Sequence, residues 1–230
     1  RIVEASGRPL SVSLAQADVA PEGWRALLGA IETAMNDGLP MRAQVAPRPV
    51  GVLLGLELTM NPFSAHPSYT AIANQPLAER VAALRDPDFR EKLLSEEPAS
   101  DNPFLKVMLR SFGKMFQLRD PVNYEPGPES TLEYMAKERS ISPEEMALAL
   151  MLERDGHGVL YLPFLNYSQG SLEPIRAMME SPATLPGLSD GGAHVGMICD
   201  GSFTTTMLTH WARDRQRGPK LPIEYLVKRQ

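Results

Sequence analysis

The chain has 230 residues, 43% of them apolar and 22% charged, with a formal net charge of −5, an ordinary globular composition. This mild acidity excludes the basic footprint that nucleic acid or an anionic membrane demands, and no apolar run approaches the ~20 residues of a membrane-spanning helix. The single cysteine, Cys199, excludes an internal disulfide framework and fits a reducing compartment, so with no signal peptide at its start the chain is expected in the cytoplasm.

Residues 9–17 alternate apolar and small polar side chains, which predicts a strand of a barrel wall. Trp24, Leu27, Leu28, Ile31 and Met35 recur at a 3.6-residue period, predicting a helix over Glu22–Asn36 that Asp37-Gly38 ends. Met41–Ala46 reads as the next strand, and this strand–helix–strand order favours a parallel sheet. Arg48 stands between Pro47 and Pro49, and a residue before proline is held in extended geometry, so Arg48 sits in a stiff loop. From there it pairs either with the carboxylate of a ligand or with one of the protein's own.

Val50–Leu56 reads as an apolar patch, a loop lid or packing segment, and residues 61–67 as a punctuated loop that leaves His66 on the surface. Helices are expected over Leu77–Arg85, Asp88–Glu96 and Phe104–Phe112, each opened by Pro or Asp. Residues from about 50 to 117 thus form an α-helical insertion, with Met108, Phe112, Met115 and Phe116 as core. Met115–Arg119 is a short strand, and Thr131–Arg139 a helix. Ser142-Pro-Glu-Glu145 is a capping box with proline at the first helical position, and Gly156-His157-Gly158 ends the helix it opens, with His157 as C-cap.

Val159–Phe164 is the third clear strand. The polar and aromatic run Asn166-Tyr-Ser-Gln169 follows it where ligand contacts belong, which makes Asn166 a candidate. A helix over Leu172–Glu180 leads to a fourth strand, Leu185–Ser189, and Phe203–Arg215 is an amphipathic helix in which His210 packs. No Gly-rich phosphate loop, Cys-x-x-Cys pair or Gly-x-Ser-x-Gly elbow occurs.

The fourth strand breaks into Ser189-Asp190-Gly-Gly-Ala-His194. The glycines leave open space around Asp190. A carboxylate at the mouth of a strand, with an imidazole four residues on, can act as metal ligand or general acid/base; the other reading is an Asx-type turn with His194 filling surface.

Gly187–His194, together with Phe203–Arg215 and Leu221–Gln230, resembles the amidohydrolases related to D-aminoacylase, the N-acyl-D-amino-acid deacylases. The resemblance implies that the Ser-Asp-Gly motif closes the eighth strand of a TIM-like barrel and that its aspartate contacts a metal-bound water and moves protons. That catalytic and metal-site role falls on Asp190, with zinc as the implied cofactor. Zinc-binding histidines are expected at the ends of the fifth and sixth strands, but Gln16 and Gln44 stand near those positions. Glutamine is a poor zinc ligand beside imidazole, thiolate or carboxylate, so both read as substrate-facing or structural hydrogen bonders. With Arg48, Asn166 and His194 they complete the candidate substrate-binding set.

The chain opens on Arg1-Ile-Val and stops at Lys228-Arg-Gln in what reads as mid-helix, whereas a complete barrel takes ~250 residues. The expectation is an α/β fold over residues 1–230: the C-terminal half of a TIM-like barrel, about strands five to eight, completed by a missing N-terminal half or by a homodimer partner. The implied activity is metal-dependent hydrolysis of a C–N bond, other than a peptide bond, in an N-acyl amino acid or similar small amide. The alternative is a barrel kept as a ligand-binding or assembly module without hydrolysis, for which Gln16 and Gln44 speak.

Overall fold

Alternating leucine, valine and serine in Leu10–Leu14 make β1, the first strand of an α/β chain. The computed structural model describes residues 1–187, 194, 196–198 and 200–230, without the side chain of Phe104. In chain order the elements are α1 (Ile2–Ser6), β1, α2 (Gly23–Asn36), β2 (Met41–Val45), β3 (Val50–Leu54), α3 (Pro67–Ile72), α4 (Leu77–Arg85), α5 (Pro87–Ser95) and α6 (Pro103–Leu109). Then come β4 (Phe116–Gln117), α7 (Leu132–Glu138), α8 (Pro143–Met151), α9 (Glu153–Gly156), β5 (Leu160–Leu165), α10 (Glu173–Glu180), β6 (Thr184–Pro186), α11 (Phe203–Thr206), a π-helix (Met207–Asp214) and α12 (Ile223–Arg229). The chain divides into two units, the first made of Arg1–Gly51, Pro163–Val195 and Cys199–Gln230, the second of Val52–Leu162 and Gly196–Ile198.

The first unit is built on the parallel sheet β1-β2-β6, in register at Leu10↔Met41, Leu14↔Val45 and Ala43↔Thr184. The strand–helix–strand reading of its first fifty residues therefore holds. Leu14, Ala43 and Val45 share one buried cluster with Trp24, Leu28 and Ile31 of α2 and Ile175, Met178 and Met179 of α10. Each large apolar side chain so buried contributes about 1.5–3 kcal/mol. On alternate positions, where a strand turns its other face, Ser11 and Ser13 are exposed, Gln44 is half-buried and Leu185 is 47% exposed. The start of β6 is tied down by the Thr184 hydroxyl, which donates to the Met178 carbonyl at 2.7 Å.

Two expectations change here. The strand at Val159–Phe164 does not extend the parallel run. As β5 it lies in a second sheet of order β3-β5-β4, antiparallel to β4 with Phe116 opposite Tyr161. Edge-to-face contacts of Tyr161 with Phe116 (5.3 Å) and Tyr124 (5.6 Å) fix that pairing. The helix from Phe203 is α-helical for only four residues before it widens to a π-helix, whose last turn closes with the Arg215 N–H on the His210 carbonyl at 2.8 Å.

The second unit is mostly helical around a core that includes Leu54, Phe63, Leu84, Leu93, Met115, Leu132, Met146, Leu150 and Leu160. Val50–Leu54 is a strand, not a loop patch, because a short uninterrupted apolar run suits a strand buried on both faces. The Leu53 N–H donates to the Met197 carbonyl at 2.7 Å. Residues read as loop before Pro67 lead into α3, with Pro67 at its first turn. The capping box forms as expected: Glu145 N–H donates to Ser142 Oγ at 3.1 Å and Ser142 N–H to Glu145 Oε2 at 3.0 Å. His157 is the C-cap of α9.

Candidate active site

The end of β2 runs directly into Pro47-Arg48-Pro49, and this short stretch carries a buried ion pair of the first unit. Arg48 is 1% exposed; its Nη2 donates to Asp200 Oδ1 at 3.0 Å, and Asp200 is 3% exposed. The guanidinium lies 4.5 Å from the centre of the Phe203 ring, a cation–π geometry. Phe203 N–H in turn donates to the Asp200 carbonyl at 3.1 Å. Trp211, buried in the π-helix, donates its indole N–H to the Pro47 carbonyl at 2.6 Å. Of the two partners open to Arg48 in the sequence, the structure provides the internal one. Asp200 was not singled out in the sequence; its one local signal is Asp-Gly-Ser, turn chemistry just ahead of a helix.

Gln16 and Asn166 are brought together and fully buried. Gln16 N–H donates to Asn166 Oδ1 and Asn166 N–H to the Gln16 carbonyl, both at 2.8 Å. The Gln16 side chain is used as well: Nε2 donates to the Pro21 carbonyl and Oε1 accepts from Ser168 N–H, each at 3.2 Å. Asn166 takes a left-handed backbone, φ 66°, a conformation asparagine tolerates better than most residues.

Gln44 is half-buried on β2, opposite Ser13 and Leu185, and a methyl group on Gly187 would come within 3.9 Å of its Oε1. His194 is exposed with φ 56°. Asp190, the proposed centre of the site, lies outside the described residues. Gly187, the residue after the end of β6, donates its N–H to the Val45 carbonyl at 2.9 Å.

His66 is the clearest departure among the histidines. It is 5% exposed rather than on the surface, edge-on to Phe63 at 5.4 Å, and its buried Nδ1 makes no hydrogen bond among the described residues. Burial lowers its pKa below the usual imidazole value, outweighing the opposing pulls of the Phe63 backbone and Glu96. Glu96 accepts from Ser68 N–H at 2.9 Å, just past His66. His210 packs edge-on against Trp211 at 5.5 Å, as expected of a packing residue.

Among the described residues no three His, Cys, Asp or Glu side chains converge as a metal site. Gln16 has both side-chain ends committed to the protein, so it has no free donor to offer zinc. The described side chains therefore do not by themselves fit a zinc ion.

The model of the amidohydrolase family matches residues 1–229. Among curated proteins and solved structures nothing matches the chain significantly.

Proposed function

Because the chain belongs to the amidohydrolase family, whose members hydrolyse amide and other C–N bonds and are generally metal-dependent, we propose that it deacylates an N-acyl amino acid or a similar small amide, with Asp190 as the proton carrier. The supporting observation is the family match, which runs through Ser189-Asp190-Gly191, beside a strand, β6, that ends just ahead of the motif and pairs in parallel with β2. In this reading the Asp190 carboxylate takes a proton from water as the water oxygen bonds to the amide carbon. The protonated Asp190 then hands that proton to the departing nitrogen as the C–N bond breaks, leaving a carboxylate and an amine. Since the described donors do not fit zinc, no step is routed through a metal. A half TIM-like barrel, with the helical stretch as an insertion, is the architecture this reading carries with it.

The fate of Gln16 favours a second reading, a ligand-binding or assembly module. A position expected to bind metal is spent on holding the backbone together. One experiment separates the two. The full-length protein is purified, its zinc measured, and it is incubated with a panel of N-acyl D- and L-amino acids while free amine is assayed. About one equivalent of tightly held zinc with amine release supports the hydrolase. No zinc and no release, with ligand binding retained, supports the module.

A further inference from the structure

We infer that Arg42 and Gln44, two residues apart on β2, form the substrate-recognition pair of the proposed reaction. Arg42 holds a carboxylate and Gln44 the amide beside it, so the substrate is an acylated amino acid with a free carboxylate rather than a neutral amide. The inference rests on the proposed hydrolysis of an amide.

The parallel sheet has two unlike faces. Leu14, Ala43 and Val45 are sunk in the cluster they share with α2 and α10. Side chains alternating with them turn to the other face, where the register sets Ser11 beside Arg42, and Ser13, Gln44 and Leu185 in the next row. The rows lie about 6.6 Å apart along the strands. The second row stands at the penultimate positions of β1 and β2, near the carboxyl ends of the strands, where parallel α/β sheets receive ligands. There is room beside it: among the described residues, a methyl group on Gly187 would meet, apart from its chain neighbours, only Gln44 Oε1, at 3.9 Å.

Arg42 and Gln44 are both half-buried with hydrogen-bonding capacity to spare. Gln44 makes no side-chain hydrogen bond among the described residues, unlike Gln16, whose two ends are both used. An amide side chain offers donors and an acceptor, the complement of the C=O and N–H of a substrate amide. Arg42 makes one hydrogen bond, from Nη1 to the Met41 carbonyl at 2.7 Å, and no carboxylate of the described residues pairs with it. Its Nε and Nη2 remain to take a carboxylate in two parallel bonds. A neutral amide lying over this face would shut the guanidinium off from water without a counterion, a cost that rejects it. Exposed Leu185 gives the acyl chain an apolar contact.

The full-length protein is assayed with an N-acyl leucine and with the carboxamide of the same compound, as wild type, Arg42→Met, Arg42→Lys and Gln44→Met. The readout is the ratio of kcat/KM for acid over carboxamide, which damage to the fold does not move because it slows both alike. Wild type should favour the acid roughly 10–10²-fold. Arg42→Met should bring the ratio to within about twofold of one, mainly through KM. Arg42→Lys, the fallback should the methionine variant not fold, should keep a reduced preference for the acid. Gln44→Met should lower kcat/KM about tenfold for both compounds and leave the ratio in place. A wild type that takes the carboxamide as readily as the acid overturns the inference. So does an Arg42→Met protein with an unchanged ratio, which would make Arg42 a support of the fold or of a protein partner lying on the sheet. If no amide is hydrolysed by the wild type, the proposed function fails, and calorimetric titration decides the inference alone. The acid should then bind wild type at least about tenfold more tightly than Arg42→Met, and equal or absent binding sinks the pair.

Discussion

Gln16 and Asn166 hold each other by a reciprocal pair of 2.8 Å hydrogen bonds, backbone N–H to side-chain Oδ1 in one direction and backbone to backbone in the other. The pair ties the end of β1 to the loop after β5, reinforced by the bridge between Ala17 and Leu165. Both residues were candidates for touching a substrate, and both are occupied with each other. Asn166→Ala should therefore act on stability. It strands the buried Gln16 N–H, at about 1–3 kcal/mol, and gives up the tolerance for left-handed backbone that asparagine has over alanine at φ 66°. Asn166→Gly loses the bond but not the backbone comfort and should cost less. Urea unfolding of both variants checks the order; an Asn166→Ala protein as stable as wild type would dissolve the clamp.

Asp190→Asn should lower kcat by at least ~10²–10⁴, the usual range for losing a positioned acid/base. Asparagine is nearly isosteric, so the thermal midpoint should move little. Near-normal amine release from the variant would remove Asp190 from the proton path.

His66 gives a pH dependence with a definite sign. Burial depresses its pKa in the folded protein, so the fold holds the neutral ring. Above the unfolded value of about 6.5 neither state is protonated and the contribution of the site is complete. As pH falls below that value the unfolded chain takes the proton first, and stability drains away until the folded pKa is passed. Glu96 and Glu97 pull the other way and Arg110 adds to the depression. The stability difference between wild type and His66→Gln should therefore shrink from pH ~7.5 to ~5, read as the gap between their urea midpoints. A constant gap would mean that His66 does not titrate across this range.

Gly158 admits no side chain. A methyl group there would lie 1.9 Å from the Leu150 carbonyl oxygen, a backbone atom that cannot step aside. Gly158→Ala should cost the second unit at least the ~1–3 kcal/mol of an overpacked core, visible as a drop in Tm. Gly29→Ala, in an open position of α2, should be neutral or stabilising by up to about 1 kcal/mol. Equal behaviour of the two would contradict the packing around α8.

What could be read from the sequence is what is local. The Ser142 capping box, α2 and α4 follow from spacing within a few residues, and the parallel β1–β2 pair follows from their connection through α2. The pairing of β5 with β4 does not, because Tyr161 meets Phe116 through ring packing that neither strand encodes alone. Nor does the strand Val50–Leu54, because a short apolar run reads equally as a patch or packing segment until both of its faces are known to be covered. In the candidate site the motif around Asp190 was legible as residue types. Arg48 was legible as a held arginine, but its partner Asp200 is 152 positions away, and nothing in a linear string says which of the two possible carboxylates it takes.

The discontinuity of the first unit has a consequence for synthesis. β2 is made well before β6, and this outer neighbour exists only once Thr184 has emerged, since Ala43 pairs with it. At about 5–20 residues per second, β1 and β2 wait on the order of ten seconds for that strand. The intervening Val52–Leu162 needs only three residues from elsewhere and can close meanwhile. Through that interval one edge of β2 presents bare N–H and C=O groups to any passing strand. A ribosome stalled before Thr184 therefore releases its most adhesive surface at Met41–Val45, and aggregates of truncated chains should be seeded there rather than in the helices.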